Sequence, residues 1–232
     1  MPIFYVIATP IGNLEDITLR ALRIFKEVDL VLCEDTRVTK RLFEKYSISV
    51  PTMSYHAKSI QTKTDTILSS ISEGKNIALV TDAGTPGISD PGSSLVSEIR
   101  NRFKEEIKKG ELKIESIPGP SALTSALSIA GVPTDEFTFL GFIPHKKGRE
   151  TLFKEIFSSD RTMVFYESTH RIMKTLASLD KLFSSNTKKV TIVREMTKIY
   201  EEVIQGNPKE IIDLLLKYPE KQKGEFVVIV SR

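Results

Sequence analysis

The sequence predicts an α/β protein made of two domains. Short runs of β-branched and apolar residues alternate with amphipathic patterns of helical period, which is typical of sheets covered by helices. The length of 232 residues suits one large domain or two small ones. A Pro-Gly-Pro turn follows a predicted strand end at Ile117, so we divide the chain into domains of residues 1–117 and 118–232. We expect parallel pairing in at least part of each sheet and a ligand cleft between the domains.

Four strands are predicted in the first half of the chain. They are the apolar runs at residues 3–8, 29–34, 76–81 and 113–118. Between the first two runs, apolar residues from Ile17 to Val28 recur on one face of a helix. Asp16 precedes this pattern, and we expect its carboxylate to cap the helix N-terminus.

The second half continues the same alternation of strands and helices. Strands are predicted at residues 137–142, 162–167, 189–195 and 225–231. Helices are predicted near residues 149–158, 169–183 and 207–217. The chain has no internal repeat and no low-complexity tract, which argues against a solenoid or a linker-rich protein.

Composition limits where the protein works. Apolar residues make up 40% and charged residues 27% of the chain, as in ordinary soluble domains. No run approaches the eighteen or so apolar residues of a membrane span, and the N-terminus lacks the features of a signal peptide. The single cysteine, Cys33, fits a reducing compartment. We therefore expect a cytoplasmic protein without membrane contact.

The charge balance is only a weak indication of an acidic partner. The 33 Lys and Arg residues nearly match the 30 Asp and Glu residues, which leaves a net charge of +3, whereas nucleic-acid binders usually show a larger or more clustered excess. The densest basic cluster is "HKKGRE" at residues 145–150. It fits a solvated surface loop and a phosphate contact equally well.

One loop is rich in glycine and proline, the residues that most restrict or extend backbone conformation. The segment "TDAGTPGISDPG", residues 81–92, holds three of the twelve glycines and two of the eleven prolines. It lies between a predicted strand and a predicted helix, where ligands collect in open α/β sheets. An ordinary connection is the alternative, although such loops usually have about two to six residues. The segment has neither a Walker A pattern nor a G-x-G-x-x-G fingerprint.

Two further loops also follow predicted strands. "ATPIGNLEDIT" follows the first strand, and "IPGPSALTSALSIAG" contains a helix start at Ser121 with a face of small residues. The helix start can bind a carboxylate or phosphate, but close helix packing explains its alanines equally well. If the strands are parallel, the loops near residues 10, 84 and 121 converge on a compact ligand.

Several long motifs carry a family resemblance. In chain order they include "ATPIGNLEDITLRAL", "CEDTR", "DAGTPGISDPG", "PGPSAL", "GF-P-KKG", "FYES-HRI", "RE-TK-YEE" and "KGE". Together they resemble the RsmI family of S-adenosylmethionine-dependent enzymes, which methylate a ribose 2′-oxygen in small-subunit ribosomal RNA. The resemblance implies the two-domain tetrapyrrole methylase fold (class III), with the cofactor in the interdomain cleft. It also implies a homodimer whose substrate is a cytidine in the decoding region of 16S rRNA, within an assembled small subunit.

The resemblance assigns the cofactor contacts by matching motif. Thr85 stands at the middle of a Gly-Asp-Pro-type loop, so the negative charge of that loop is expected from Asp82 or Asp90 instead. Whether these two carboxylates touch the cofactor, touch ribose or cap the fold stays open. The cofactor-binding set is Pro10, Asp82, Gly84, Thr85, Pro86, Ile88, Ser89, Asp90, Ser121, Ala122, Phe165 and Tyr166.

The transfer of a methyl group to a ribose hydroxyl is helped by a group that accepts the hydroxyl proton. In "CEDTR", Glu34 or Asp35 can accept that proton, and Arg37 can hold a phosphate. The alternative is a capped helix start, with Asp35 or Thr36 as the N-cap. His56 is a further candidate base.

Substrate contacts are expected from basic residues in the second half. Arg171 and His170 stand in "ESTHRI", while Lys146 and Lys147 stand in the basic cluster; we expect them to contact RNA phosphates. No metal site is predicted, since the three histidines and one cysteine lack ligand spacing.

Two other functions remain open at this point. A small-molecule methylase acting on a tetrapyrrole-type ring shares the fold and the cofactor cleft. A cofactor-binding or ribosome-associated protein without catalysis is the other alternative. Departures from the family pattern include Val38, where a histidine is common, and Thr169, where a proline is common.

Overall fold

The computed structural model describes residues 1–55, 60–90, 92–183 and 188–231. The chain forms two compact units, Met1–Ser121 and Ala122–Arg232. Residues 118–121, which the sequence prediction gave to the second domain, therefore lie in the first unit. Within the described ranges, no helix has the length and apolarity that crossing a membrane requires.

The first unit is built on a parallel sheet of five strands in the order β3-β2-β4-β1-β5. The strands are β1 (Ile3–Ile7), β2 (Leu30–Cys33), β3 (Thr52–Ser54), β4 (Ile77–Leu79) and β5 (Lys113–Ile117). The helices that connect them are α1 (Leu19–Phe25), α2 (Thr36–Lys45), α3 (Ile60–Ser72), α4 (Gly92–Arg102) and α5 (Lys104–Lys109). All five carboxyl ends lie at one edge of the sheet, because the strands run in the same direction.

Both faces of this sheet are covered, which explains why its strands are continuous apolar runs. On one face, α1 and α2 contribute Phe25 and Phe43, whose rings meet edge-on at 5.1 Å. On the other face, α3 and α4 contribute Ile67 and Leu95, both fully buried. The unit is thus a three-layer α/β structure, as the alternating sequence pattern predicts.

The start of α1 differs from the prediction. Leu14–Asp16 forms a short 3₁₀ turn, and Ile17 is extended. Thr18 is the N-cap of α1, because its hydroxyl accepts a hydrogen bond of 3.1 Å from the Ala21 amide. The prediction of Asp16 as the cap was therefore wrong. Apolar periodicity continued through the turn and concealed where the helix begins.

The second unit has a mixed sheet in the order β6-β7-β10-β8-β9. Only β6 and β7 pair in parallel; the other neighbours are antiparallel. The strands are β6 (Phe137–Phe142), β7 (Thr162–Ser168), β8 (Lys189–Arg194), β9 (Glu202–Gly206) and β10 (Glu225–Ser231). The helices are α6 (Ala122–Ile129), α7 (Arg149–Ser158), α8 (Ile172–Phe183) and α9 (Pro208–Lys217).

Helices also cover both faces of the mixed sheet. The larger core lies under α7, α8 and α9. On the opposite face α6 packs Ala126, which is fully buried, on the sheet, and Ala130, just after the helix, is nearly buried. Close helix packing thus accounts for these two alanines, which was one of the two explanations left open by the sequence.

Candidate functional site

Two of the three predicted ligand loops are joined directly by backbone hydrogen bonds. The Thr9 amide donates to the Gly84 carbonyl at 2.9 Å, and the Gly84 amide donates to the Thr9 carbonyl at 3.0 Å. Thr9 follows β1 and Gly84 follows β4, and these strands are parallel neighbours. The loop near residue 10 and the loop of residues 81–92 therefore meet at the carboxyl edge of the first sheet.

The third loop reaches the same place. The Thr85 hydroxyl donates to the Pro120 carbonyl at 3.2 Å, and β5, which precedes Pro120, is the other neighbour of β1. Because strand order brings these loops together within the first unit, the predicted convergence near residues 10, 84 and 121 is confirmed.

Gly84 occupies the centre of this convergence. Its φ of +82° lies in the region that side chains rarely adopt. A Cβ built there would stand 3.4 Å from Ile11 Cγ2 and 3.7 Å from the Pro120 carbonyl oxygen. Gly84 is buried and these are ordinary van der Waals distances, so its positive φ is the feature that favours glycine where the three loops meet.

Asp90 closes the loop of residues 81–92 upon itself. Its two carboxylate oxygens accept hydrogen bonds of 2.8 and 3.0 Å from the Gly87 amide. One of them also accepts a bond of 2.7 Å from the Gly92 amide at the start of α4. Of the roles left open for Asp90, the structure shows the structural one: it caps α4 and fixes the turn at Gly87.

Asp82 ties the same loop to the segment after β2. Its Oδ1 atom accepts a hydrogen bond of 2.8 Å from the Asp35 amide. Burial raises the pKa of Asp82, and the charge of Asp35 adds to the effect. Asp82 thus positions the "CEDTR" segment beside the converging loops.

Asp35 has the structural role that was offered as the alternative to catalysis. It is the N-cap of α2 and accepts a hydrogen bond of 2.8 Å from the Arg37 amide. The Arg37 guanidinium donates further bonds of 2.6 to 3.1 Å, and these bonds lower the pKa of Asp35 to about 2. A carboxylate held so strongly in its ionised form is a poor proton acceptor.

Glu34 has a different environment from its neighbour. One of its oxygens accepts a bond of 3.2 Å from the Thr81 hydroxyl, at the start of the ligand loop. The other oxygen has no hydrogen-bond partner among the residues that the structure describes. Glu34 is half-buried, whereas the side chain of Arg37 is 87% exposed. Of the two candidate carboxylates in this segment, Glu34 is the one with an oxygen that no described residue binds.

The remaining cofactor candidates near these loops differ in exposure. Pro10 and Pro86 are buried, Thr85 is half-buried, and Ile88 and Ser89 are exposed. Ser89 has a φ of +69°, which is unusual for a residue other than glycine. His56 lies outside the described residues.

The candidates in the second unit are less uniform than expected. Phe165 is fully buried in the larger core, so its side chain cannot form a wall for a ligand. Tyr166 faces the opposite side of the sheet, toward α6. Burial raises the pKa of Tyr166, and a hydrogen bond from the Leu123 backbone opposes this effect. Ala122 is half-buried at the first turn of α6, and Ser121 precedes it at the end of the first unit.

The substrate candidates share one edge of the second sheet. The parallel pair β6 and β7 places the loop with Lys146 and Lys147 beside the loop with His170 and Arg171. The side chains of Lys146, Lys147 and His170 are exposed. The Arg171 side chain is only 14% exposed, and it donates a bond of 2.6 Å to Glu167. Its Nη2 atom is buried and has no hydrogen-bond partner among the described residues.

A buried arginine that the sequence did not indicate supports this edge of the second sheet. Arg149 is 7% exposed and donates to the Pro144 carbonyl at 3.3 Å and to the Thr175 hydroxyl at 2.8 Å. Thr175 in turn donates to Glu167 at 2.6 Å. Burial lowers the pKa of Arg149. Its sequence setting, within the basic cluster, suggested a surface residue and gave no signal of this network.

No metal centre appears in the part of the chain that the structure describes: it contains no group of three or more His, Cys, Asp or Glu side chains arranged to hold an ion.

Comparisons with known proteins fit these loops and this topology. Residues 4–212 match the family model of the tetrapyrrole (corrin/porphyrin) methylases. A protein of Thermotoga maritima is 42% identical over 226 residues, which cover 97% of this chain and 96% of the relative. A protein of Hydrogenobaculum sp. is 45% identical over 232 residues, with 98% and 95% covered. Both are named ribosomal RNA small subunit methyltransferase I.

Solved structures share the fold at much lower identity. The methyltransferase CobJ superposes with a TM-score of 0.68 at 17% identity, over 100% of this chain and 95% of CobJ. The cobalt precorrin-4 methyltransferase CbiF gives a TM-score of 0.63 at 18% identity, over 99% and 94% of the two chains. These likenesses establish the architecture alone.

Proposed function

The chain belongs to the tetrapyrrole methylase family and, within it, to the group of ribosomal RNA small subunit methyltransferase I proteins; from this premise we propose that it methylates the RNA of the small ribosomal subunit. The observation that carries the proposal is identity of 42 to 45% over nearly the full length of relatives with that name. The finer proposal is transfer to the ribose 2′-oxygen of a cytidine in the decoding region of 16S rRNA, by a cytoplasmic homodimer.

S-adenosylmethionine is the proposed methyl donor, and the first unit has features that fit it. The three loops meet at Gly84, a residue of positive φ that presents no side chain to a ligand. Asp90 holds this backbone in place. When bound, the cofactor supplies a methyl group already activated by a positively charged sulfur. The loops therefore need only to orient the reactants and exclude water.

Glu34 is the proposed acceptor of the ribose proton. Its carboxylate lies at the carboxyl edge of the first sheet and keeps one oxygen without a partner among the described residues, while Thr81 orients the other oxygen at 3.2 Å. Asp35 is assigned the different task of capping α2 and holding Arg37. Arg37, with its exposed guanidinium, is proposed to contact an RNA phosphate near the reacting ribose.

The alternative of a small-molecule methylase has support of its own, since the family model and the solved neighbours are methylases of tetrapyrrole-type rings. One assay separates the two functions. Purified protein and radiolabelled S-adenosylmethionine are incubated with unmodified small subunits, with naked 16S rRNA, and with a tetrapyrrole. We expect label in the rRNA of the small subunits; label found only in the tetrapyrrole would establish the alternative.

A third outcome would identify a cofactor-binding protein without catalysis. In that case calorimetry would show binding of S-adenosylmethionine, but none of the three substrates would acquire label. Glu34→Gln serves as the internal control for catalysis. We expect it to bind the cofactor normally and to lower turnover on small subunits by about 10²-fold or more, the usual contribution of a positioned general base.

A further inference from the structure

Phe142 presents an aromatic side chain to solvent at the carboxyl end of β6. The side chain is 57% exposed, although strands favour burial of such rings. The strand is irregular just before it, since the pairing register shifts between Phe139 and Phe142 and Gly141 has a φ of +63°. This bulge turns the end of an edge strand and leaves the Phe142 ring accessible.

The ring is supported from inside the protein. Tyr166 contacts it edge-on, with centroids 5.4 Å apart and planes at 63°. Tyr166 contacts Phe139 in the same manner at 4.9 Å. Since burial and a backbone bond from Leu123 hold Tyr166 in place, Phe142 rests on a fixed aromatic base rather than on mobile surface side chains.

Two lysines follow Phe142 on a loop that is anchored at both ends. Ile143 is 1% exposed, and the Pro144 carbonyl accepts a bond of 3.3 Å from the buried Arg149. Lys146 and Lys147 lie between Pro144 and Arg149 in the chain and are exposed to solvent. Neither ammonium group has a hydrogen-bonding or ionic partner within the described ranges. The loop therefore carries two positive charges four and five residues after the exposed ring in the chain.

The neighbouring loop adds to the same surface. Phe142 pairs in register with Tyr166 of the parallel strand β7, so the chain that follows β7 emerges beside the chain that follows β6. His170 is exposed there. We call the surface formed by Phe142, Lys146, Lys147 and His170 the β6 rim.

The same sheet carries another exposed aromatic side chain, whose charged neighbours are different. Tyr200, between β8 and β9, is 67% exposed, and three glutamates, Glu195, Glu201 and Glu202, lie within five residues of it in the chain. Glu201 stands next to it, and Glu195 and Glu225 flank Lys198 at 3.0 and 2.9 Å. Carboxylates near a ring oppose the binding of a polyanion, whereas the residues that follow Phe142 in the chain include two lysines.

We propose that the β6 rim binds unpaired rRNA, with a base stacked on Phe142 and the adjoining phosphates on Lys146 and Lys147. The proposal rests on the proposed function, which makes rRNA the substrate of this chain. An exposed aromatic ring next to positive charges is the combination that single-stranded nucleic acid selects, since each base has a face to stack and each linkage a charge to neutralise.

The test measures binding of a short fluorescent single-stranded RNA by anisotropy. Phe142→Ala should weaken binding about tenfold, the loss of one stacked base, while Phe142→Trp should retain it. Tyr200→Ala is the matched control and should leave affinity unchanged. Replacing Lys146 and Lys147 by alanine should also reduce the salt slope by about 0.7 per lysine, which Phe142→Ala should leave unchanged.

Several results would overturn the proposal. They are unchanged affinity in Phe142→Ala, equal losses in Phe142→Ala and Tyr200→Ala, and failure of the native protein to bind this RNA. If Phe142→Ala binds RNA normally but sediments as a smaller species than the native protein, Phe142 contacts a second copy of the chain instead of RNA. Circular dichroism confirms that each variant is folded.

Methyl transfer by the native protein, measured in parallel on small subunits, separates the two claims. Transfer without any dependence of binding on Phe142 contradicts the β6 rim alone. Dependence of binding on Phe142 without transfer to rRNA supports the rim and contradicts the proposed function.

Discussion

Asp35 and Asp82 illustrate how much a single carboxylate can depend on residues far away in the chain. The "CEDTR" motif predicts a helix start and a candidate base equally well, and local sequence cannot separate them. The structure separates them through the Asp35 amide, which donates to Asp82, 47 residues away. Asp35 caps α2 and binds Arg37, which leaves Glu34 as the candidate base.

The low pKa of Asp35 predicts a particular dependence of stability on pH. A carboxyl whose folded pKa is depressed stabilises the fold above its unfolded pKa and loses this effect as pH falls through the folded pKa. The difference in urea midpoint between the native protein and Asp35→Asn should therefore shrink between pH 3.8 and about 2. Asparagine retains an oxygen for the cap. A difference that persists at the acidic end contradicts the assigned ion pair.

Two glycine substitutions can distinguish backbone strain from loss of space for the cofactor. Gly84→Ala and Gly74→Ala both place a side chain at positive φ, +82° and +86°, so both should lose roughly 1 kcal/mol or more of unfolding free energy. A Cβ at Gly74 meets nothing within 4 Å. Only Gly84→Ala should weaken binding of S-adenosylmethionine, measured by calorimetry. Equal affinity in the two variants would remove Gly84 from the cofactor site.

At the scale of elements, the loop of residues 81–92 depends on one carboxylate for its shape. Asp90→Ala removes the acceptor for the Gly87 and Gly92 amides, and the loss of such a cap costs about 1–2 kcal/mol. Urea unfolding should show this loss together with weaker cofactor binding. Asp90→Asn keeps one acceptor oxygen, so its free energy of unfolding should lie between those of the native protein and Asp90→Ala. A loss in Asp90→Asn as large as in Asp90→Ala would show that the charge matters more than the cap.

Strands and helices were predictable where pattern alone decides them. The eight predicted strands are present because each is an apolar run that a covered sheet requires. Two edge strands lie outside these eight runs: β3 (Thr52–Ser54) has only three residues, and β9 (Glu202–Gly206) mixes charged and apolar residues. The cap of α1 was misplaced because a hydroxyl in extended backbone, at Thr18, leaves no trace in apolar periodicity.

The candidate site was predictable to a smaller extent. Strand direction was enough to bring the loops of Thr9, Gly84 and Pro120 together. The roles of individual side chains depended on partners distant in sequence, such as Thr81 for Glu34 and Thr175 for Arg149. Such pairings arise from tertiary structure, which a residue pattern does not encode.

At the scale of the whole molecule, two units of the same class are built differently. The sheet of the first unit is wholly parallel, which gathers its loops at one edge, whereas that of the second is mainly antiparallel. Two relatives match the sequence of this chain at 42 to 45% identity, and two solved structures share its fold at 17 to 18% identity. The fold therefore constrains the class of chemistry, while the longer motifs of the chain favour RNA as substrate.

The central claim is tested most directly by locating the methyl group. Small subunits lacking the modification are incubated with the protein and labelled S-adenosylmethionine, and the extracted 16S rRNA is hydrolysed with alkali. We predict label in an alkali-resistant dinucleotide that contains cytidine, because a methylated 2′-oxygen blocks cleavage of the adjoining linkage. Label released entirely in mononucleotides would place the methyl group on a base and contradict this account.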